Sequence, residues 1–547
     1  MSDPQHQQRS SYRAAALIAT VTLPQFLLGL GDRNIWIPLE ARYALVAREM
    51  LEAGHWILPH LGGEVYADKP PLLFWAIACI SALGSGVTEW TARLPTALAA
   101  VGVCLVTWQL GVRLFSPPAG LLAALVLATS GGFFWSGRQA LPDMLLTLWT
   151  TGALWGLWEW FSGKHRQGVI AAGLCMGFAT LTKGPVGIVL PSLCGLIYLL
   201  VRRQRPTLWG RDVLLCLGVF LGLALSWFVP AVTLGGPEYA QATLLHHSLE
   251  RYVRAWEHTA PWYFYLGAFP AEFLPWTLFL PHALLTAVKL RRHQGHAGWW
   301  FVLCWLVTIL GFFSISTGKR DIYILPAFPA AALLVGWSWS CWWQRPINAA
   351  SIWAIRLPTL GLALVFWGVA VGSWASIDSL LPSRSIILLP ATSEMHVWGS
   401  LLLGLAGTLL GSLAFTHRTR LMYGCLVGCT WLAMLMTVLW VYTPQFNHRY
   451  PIKSFAAEVH AHVDPDGPLQ LCGPMNDLAL RFNLGRFVPE LHRTSEVMRY
   501  LERHEEAFCI IEAEGYQRLG QHSGRFFPVM AQQEFDRTTL LLISNRW

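Results

Sequence analysis

Residues 40–70 read EARYALVAREMLEAGHWILPHLGGEVYADKP and lie between two long apolar segments. Charge is denser here than anywhere else in the first half of the chain. After Pro38, Tyr43, Val46, Ala47, Met50 and Leu51 recur at helical spacing, while Arg42, Arg48, Glu49 and Glu52 fill the other faces. That pattern predicts a short helix lying on a membrane surface, apolar side down. The Gly62-Gly63 pair marks a turn, and the cluster Tyr66, Asp68, Lys69, Pro70 ends the stretch. An anion beside a cation at a membrane surface suits a charged lipid headgroup. An ordinary solvated loop accounts for the same spacing equally well.

Outward from this stretch the chain is strongly apolar. It has 547 residues, 54% of them hydrophobic, with 29 tryptophans and only 13% charged, about half the share usual in a soluble domain (roughly 25%). Mean hydropathy is +0.43. The class is an all-α polytopic membrane protein. The polar start MSDPQHQQRSSYR leads into the first apolar segment with no small-residue cleavage site, so no removable leader is expected. The net charge of +8 falls largely in short loops, where it sets topology and does not point to nucleic acid. Nine of the eleven cysteines sit in apolar segments, without metal spacing; Cys472 and Cys509 alone fall in the polar tail, where they can pair only outside the cytoplasm.

Basic loops at 164–166, 202–205, 289–292, 345–356 and 417–420 alternate with loops of other character, so the basic set is expected to be cytoplasmic. The N-terminus, with Arg9 and Arg13, joins it. This places 32–70, 137–143, 182–185, 233–262, 317–322, 379–396 and everything after 443 on the opposite side. Parity requires one apolar segment between 71 and 135 not to cross, and the short 71–86 piece is the choice; about thirteen transmembrane helices remain. Two units are expected: a transmembrane domain over 1–444, with the amphipathic first loop at 32–70, and a small α/β domain over 445–547. In the tail, SFAAEVHAHV and TSEVMRYLERHEE read as helices and the runs near 509 and 539 as strands.

The loops facing away from the cytoplasm carry most of the chemistry. Arg138 and Asp143 stand at the head of a span, Thr182-Lys183-Gly184-Pro185 joins two others, and His246-His247 precede Arg251-Tyr252. Lys319-Arg320-Asp321-Ile322-Tyr323 follows. Each has a plain alternative: Asp143 as a helix cap, Lys183 as a snorkelling side chain, the histidines as loop residues. Together they concentrate cations on the side where few are expected, and an anionic lipid, a polyprenyl phosphate, would account for them. Cations or a divalent metal would stabilise a departing phosphate, and a carboxylate would orient the nucleophile. Asp68 with a histidine of the 246–247 pair would make a two-ligand metal site of undefined metal.

The stretch from ARYALVAREM to ADKPPLLFW resembles the first extracytoplasmic loop of bacterial lipid-linked sugar transferases: the aminoarabinose transferases and their relatives in the protein O-mannosyltransferase superfamily. TARLPTALAA, GRQALPDMLLTL, TLTKGPVGIVLP, APWYFYLGAFPAEFLPW and FFSISTGKRDIYILPAFPAAALL follow in that family's order. The resemblance implies a GT-C fold with a periplasmic C-terminal domain, in the bacterial inner membrane, with the active site on the periplasmic side. It implies inverting transfer of a hexosyl or pentosyl group from a polyprenyl phosphate, typically undecaprenyl phosphate. Acceptors in view are lipid A, which would make this a lipopolysaccharide modification, another envelope glycolipid or glycan, or a protein. Residue by residue, it makes Asp68 a metal ligand and gives Tyr66 and Lys69 to the phosphate side. Asp143 matches a family aspartate, Lys183 the lysine of the Thr-Lys-Gly turn, Arg251 a loop arginine and Tyr323 the tyrosine of Tyr-Ile-Leu-Pro.

Two departures stand out. Ser248 occupies the position of the family's metal-binding histidine, with His247 one residue away. Leu39 occupies the position of the proposed aspartate base, before Glu40-Ala41-Arg42-Tyr43. Three readings follow, in this order: Glu40 takes over the role, the acceptor is already anionic, or the protein is a non-catalytic polyprenyl-lipid transporter or binding protein. The expected set is therefore Glu40 and Asp143 in catalysis, Arg42, Tyr66, Lys69, Lys183, Arg251, Lys319 and Tyr323 on substrate, and Asp68 with His247 on a divalent metal.

Overall fold

A computed structural model describes residues 4–546 apart from 85, 164, 204–209, 242, 244–258, 291–295, 345–348, 373–392, 417–418, 474, 476, 504–505 and 537. His247 and Arg251 lie outside the described residues. The protein is a helical membrane unit topped by a small α/β unit. Among the described residues five helices are long and apolar enough to cross a membrane: Glu89–Leu114, Arg211–Gln241, Ala297–Ile315, Asp321–Cys341 and Arg420–Arg449. The first ten helices in chain order are α1 (Pro4–Leu27), α2 (Pro38–Ala53), α3 (Leu72–Ala82), α4 (Glu89–Leu114) and α5 (Pro117–Ala128), then α6 (Gly131–Ser136), α7 (Pro142–Phe161), α8 (His165–Lys183), α9 (Val186–Val201) and α10 (Arg211–Gln241). Helix α3, inside the 71–86 segment, has 11 residues. At 1.5 Å per residue such a helix covers about half of a ~30 Å hydrocarbon layer.

Close backbone approach holds the bundle together where side chains are absent. A Cβ on Gly156 of α7 would come within 2.6 Å of the Ala172 nitrogen of α8. One on Gly168 of α8 would come within 2.6 Å of the Trp160 nitrogen of α7. Small residues facing each other let α7 and α8 touch backbone to backbone. That contact matters because α7 carries Asp143 in its first turn and α8 ends with Lys183.

The amphipathic stretch forms α2, started by Pro38 at its first turn and ended by Gly54 in the left-handed conformation. Its apolar face is buried through Tyr43, Ala44, Val46, Ala47 and Met50. The polar face is used as well. Arg48 donates to the carbonyls of Phe482 (3.0 Å) and Val87 (3.3 Å), and Glu49 accepts from the Gly63 amide at 3.1 Å and from the Gly62 amide, fixing the β1–β2 turn (His60–Leu61 and Glu64–Val65). So α2 is covered on both sides, by protein of the membrane unit and by the helix Asp477–Leu484 of the C-terminal unit.

The last membrane helix runs past the expected boundary at 444. Its α-helical part, Thr419–Met436, passes through a π-helical turn, Thr437–Tyr442, into Thr443–Arg449. Beyond it the C-terminal unit has a five-stranded sheet in the order β4-β3-β5-β7-β6 (Glu490–Leu491, Leu469–Cys472, Phe508–Glu512, Thr538–Ser544, Val529–Phe535). Strands β3, β4 and β5 run parallel, and β7 is antiparallel to β5 and β6. Alternate residues of β5 and β7 go to different cores: Phe508, Ile510, Leu540 and Leu542 pack with Ile452, Phe455 and Val459, while Cys509, Ile511, Leu541 and Ile543 pack with Val497, Leu501 and Leu519. Helices therefore cover both faces, which is why these strands are apolar throughout and do not alternate. Cys472 and Cys509 form a disulfide between the neighbouring strands β3 and β5. Trp36 joins the two units, stacked between Tyr450 and Phe535 at 5.0 Å from each ring.

Candidate active site

Two small clusters of charge form on the same side of the bundle. In the first, the loop after β2 turns Asp68 back on its neighbours. Its carboxylate accepts from Tyr66 Oη at 3.1 Å and from Lys69 Nζ at 3.0 Å, and Lys69 also donates to the Asp68 carbonyl at 2.9 Å. In the second, Lys183 pairs with Asp143, and its ammonium stands 4.5 Å from the centre of the Tyr323 ring. Three separate segments supply this second cluster. Asp143 sits in the first turn of α7, where a helix favours an anion. Lys183 ends α8, and Gly184 in the left-handed conformation (φ +77°) makes the corner that turns the chain there. Tyr323 lies in the 3₁₀ turn Asp321–Ala327.

Tyr43 of α2 links the clusters. Burial, then the negative fields of Asp68 and Asp143, push its hydroxyl pKa up, while Arg42 and Arg320 pull the other way. Tyr66 behaves alike: burial raises it first, then Tyr43 and Asp68, against Arg42. Phe74 of α3 packs against both rings, at 5.9 Å from Tyr43 and 6.0 Å from Tyr66. Tyr265 closes the far end, donating to the Arg320 carbonyl at 3.0 Å within electrostatic reach of Tyr323, Asp321 and Asp143. Arg42, Tyr66, Asp68, Lys69, Asp143, Lys183 and Tyr323 thus share one polar region, together with Tyr43, Tyr265 and Arg320. The last three were not among the expected site residues. Arg320 and Tyr43 each adjoin one that was, and adjacency was the available signal.

Lys319 is differently placed. It is buried, and its ammonium donates to the Ala260 carbonyl at 3.0 Å and to the Ser316 carbonyl. Its neighbour Arg320 is the cation whose field reaches Tyr43. Arg138 is held by backbone too, gripping the carbonyls of Gln25 (2.7 Å) and Leu28 (2.6 Å) where α1 ends.

Glu40 is fully buried. One carboxylate oxygen accepts from Arg93 Nε (3.0 Å) and the Ala140 amide (3.0 Å), the other from Arg33 Nη2 (2.7 Å) and Arg93 Nη2 (3.3 Å). Burial alone would raise its pKa; Arg33 and Arg93, with the hydrogen bonds from Arg93 and Ala140, outweigh that and bring it down to about 2. A carboxylate offers about four lone-pair positions, and all are filled here. Leu39 is half-buried and packs against the apolar core.

The expected metal pair is present only as Asp68, because His247 lies outside the described residues. Asp68 accepts from Lys69 and Tyr66, and among the described residues no three His, Cys, Asp or Glu side chains come together as a metal centre would need.

Residues 68–234 match the family model described as dolichyl-phosphate-mannose-protein mannosyltransferase. The chain is similar to undecaprenyl phosphate-alpha-4-amino-4-deoxy-L-arabinose arabinosyl transferase 2 of Pseudomonas fluorescens, 33% identical over 318 residues. That match covers 57% of this chain and 53% of the relative, so the chain spans about half of that relative's length. With the arabinosyl transferase of Edwardsiella ictaluri it is 31% identical over 417 residues, 74% of this chain and 72% of the relative. Among solved structures, ArnT from Cupriavidus metallidurans bound to undecaprenyl phosphate superposes with a TM-score of 0.80 at 22% identity, over 97% of this chain and 98% of that one. The fold is thus that of ArnT, a GT-C fold in a multi-pass membrane protein. The chain belongs to the aminoarabinose (4-amino-4-deoxy-L-arabinose) transferase family within the protein O-mannosyltransferase superfamily.

Proposed function

We propose that the protein is a glycosyltransferase of the bacterial inner membrane that moves a sugar from a polyprenyl phosphate, undecaprenyl phosphate in the first instance, to an envelope acceptor. The observation that carries this reading is the meeting of Lys69–Asp68–Tyr66 with Asp143–Lys183–Tyr323 around Tyr43. Two ammonium groups are held there by carboxylates, and the guanidiniums of Arg42 and Arg320 add positive field. As the sugar C1–O bond to phosphate breaks, the phosphate keeps the bonding electrons, and these cations stabilise the charge it gains. The acceptor oxygen attacks C1 from the opposite face, giving inversion. With Glu40 saturated and Leu39 apolar, an acceptor oxygen that is already anionic, such as a lipid phosphate, fits best, because it has no proton to lose.

The site faces the periplasm. Basic loops at the other ends of the spans support this orientation, and so does the disulfide in the unit that packs on α2, since disulfides persist in oxidising compartments. The test uses purified protein in proteoliposomes with undecaprenyl phosphate-aminoarabinose as donor and lipid A as acceptor. Mass spectrometry is expected to find free undecaprenyl phosphate and sugar-bearing lipid A. Donor that crosses the bilayer intact, with none consumed, would identify a transporter and end this proposal.

A further inference from the structure

We propose that Arg93 and Glu40 form a buried latch that positions the catalytic end of α7: Arg93 is a positioning residue acting through Glu40 and the Ala140 amide on Asp143 and, beyond it, Lys183. The proposal rests on the transferase reading above and assigns a mechanical part to two groups that do not touch substrate. Arg93 is an arginine in the midst of the apolar run TARLPTALAA, and it is fully buried. A charge at that depth is costly unless every group on it is matched.

Here every group is matched. A guanidinium has five N–H donors. Arg93 Nε and Nη2 hold Glu40 at 3.0 and 3.3 Å, Nη1 holds the carbonyls of Leu30 (3.0 Å) and Arg33 (2.7 Å), and Nη2 also reaches the Asn34 carbonyl (3.4 Å). One side chain of α4 therefore fixes the 30–34 segment that leads into α2, and the carboxylate at the start of α2. Glu40 passes the constraint on, accepting from the Ala140 amide at 3.0 Å. Ala140 is three residues from Asp143, separated by Leu141 and by Pro142, which opens α7 with a fixed φ. The same α2 presents Arg42 and Tyr43 to the site two and three residues beyond Glu40. The latch thus sets the separation between the α2 side of the site and the Asp143–Lys183 side. Arg33, the second cation on Glu40, lies over the rings of Trp135 (5.4 Å) and Phe446 (5.3 Å), so the last membrane helix is held to the same point.

A lysine cannot replace this fork, having three donors on one atom. Glutamine at position 40 keeps the shape and loses the charge. The test compares wild type with Arg93→Lys and Glu40→Gln for turnover of undecaprenyl phosphate-aminoarabinose with lipid A, for binding of undecaprenyl phosphate, and for amide exchange over 137–145. Expected are a fall in kcat of about 10- to 100-fold, the range that a ~1 Å misplacement produces, with donor KM and undecaprenyl phosphate Kd within about twofold. The pH profile of kcat/KM keeps its shape, and amides 137–145 exchange at least about tenfold faster, one pairing of about 1.4 kcal/mol being tenfold. Loss of the acid limb of that profile in Glu40→Gln would make Glu40 the base and overturn the latch, as would wild-type kcat in both variants. Unchanged exchange over 137–145 would overturn it too, whether or not wild type turns the donor over. If Arg93→Lys does not purify folded, the near-isosteric Glu40→Gln decides alone.

Discussion

Lys183 faces the ring of Tyr323, its ammonium 4.5 Å from the centroid, while Asp143 accepts one of its hydrogens. A lysine held by a carboxylate on one side and an aromatic face on another is restrained on both sides. Lys69 is restrained as well, bonded to the carboxylate and the carbonyl of its neighbour Asp68. Both cations are thus positioned by the protein's own groups, and in the proposed reaction this lowers the ordering cost of binding a phosphate.

The Tyr323 ring and its hydroxyl can be told apart. Lys183→Ala removes a stabiliser of the leaving phosphate, and donor turnover is expected to fall about 100-fold or more. Tyr323→Phe keeps the ring under the ammonium, whereas Tyr323→Leu removes it. A cation–π contact of roughly 1–2 kcal/mol predicts about tenfold lower kcat/KM in the leucine variant than in the phenylalanine one. Equal rates in the two would mean the ring does nothing for Lys183.

Asp68 supplies a second test, of metal dependence. Its carboxylate is engaged by Tyr66 and Lys69, so a chelator is expected to leave undecaprenyl phosphate release unchanged, and Asp68→Asn to raise donor KM by freeing Lys69. Loss of turnover in EDTA, restored by a divalent cation, would instead place a metal against Asp68 at the expense of its bond to Lys69.

The membrane class and the α/β tail were legible because each rests on a repeated local signal: long apolar runs, and strands too apolar for a one-faced sheet. So was helix α2, whose spacing marks its buried face, although that face packs against protein and does not lie on a membrane surface as expected. What the spacing could not tell was how α2 uses its charged residues. Glu40 and Arg42 are two positions apart and both polar, yet one is sealed between Arg33, Arg93 and the Ala140 amide and the other acts on Tyr43 and Tyr66. The distinction depends on partners 53 and 100 residues away. Lys319 and Arg320 repeat the lesson at adjacent positions. Arg93 did carry a signal of its own, a lone guanidinium in an apolar run, and only its partners were missing.

The disulfide gives a prediction about side and stability together. Cys472 and Cys509, 37 residues apart, close a loop whose cross-link is worth roughly 3–4 kcal/mol in a chain-entropy account. Cys472→Ser with Cys509→Ser is expected to lower the thermal midpoint of the C-terminal unit and leave donor KM alone. In intact cells neither wild-type cysteine should react with a thiol reagent until reductant is added. Ready labelling without reductant would put the tail in a reducing compartment and reverse the proposed orientation.

Glu40 makes the acid response specific. Its pKa of about 2 lies below the ordinary 4.5, because Arg33 and Arg93 overcome the burial that would raise it. A carboxylate whose pKa is depressed by folding stabilises the native state in full above its unfolded value and loses that contribution as pH falls through the folded one. The window for Glu40 is therefore about 4.5 down to about 2, and between pH 7 and 5 it contributes a constant amount. Removing the charge from a buried pair costs about 3–5 kcal/mol, so Glu40→Gln is expected to melt several degrees lower at pH 7, followed through the 29 tryptophans. On acidification below 4.5 the wild-type midpoint should fall more steeply than the variant's, and the two curves should converge. Curves that stay parallel down to pH 3 would mean that the carboxylate is not held by those arginines in the folded protein, and the latch would lose its foundation.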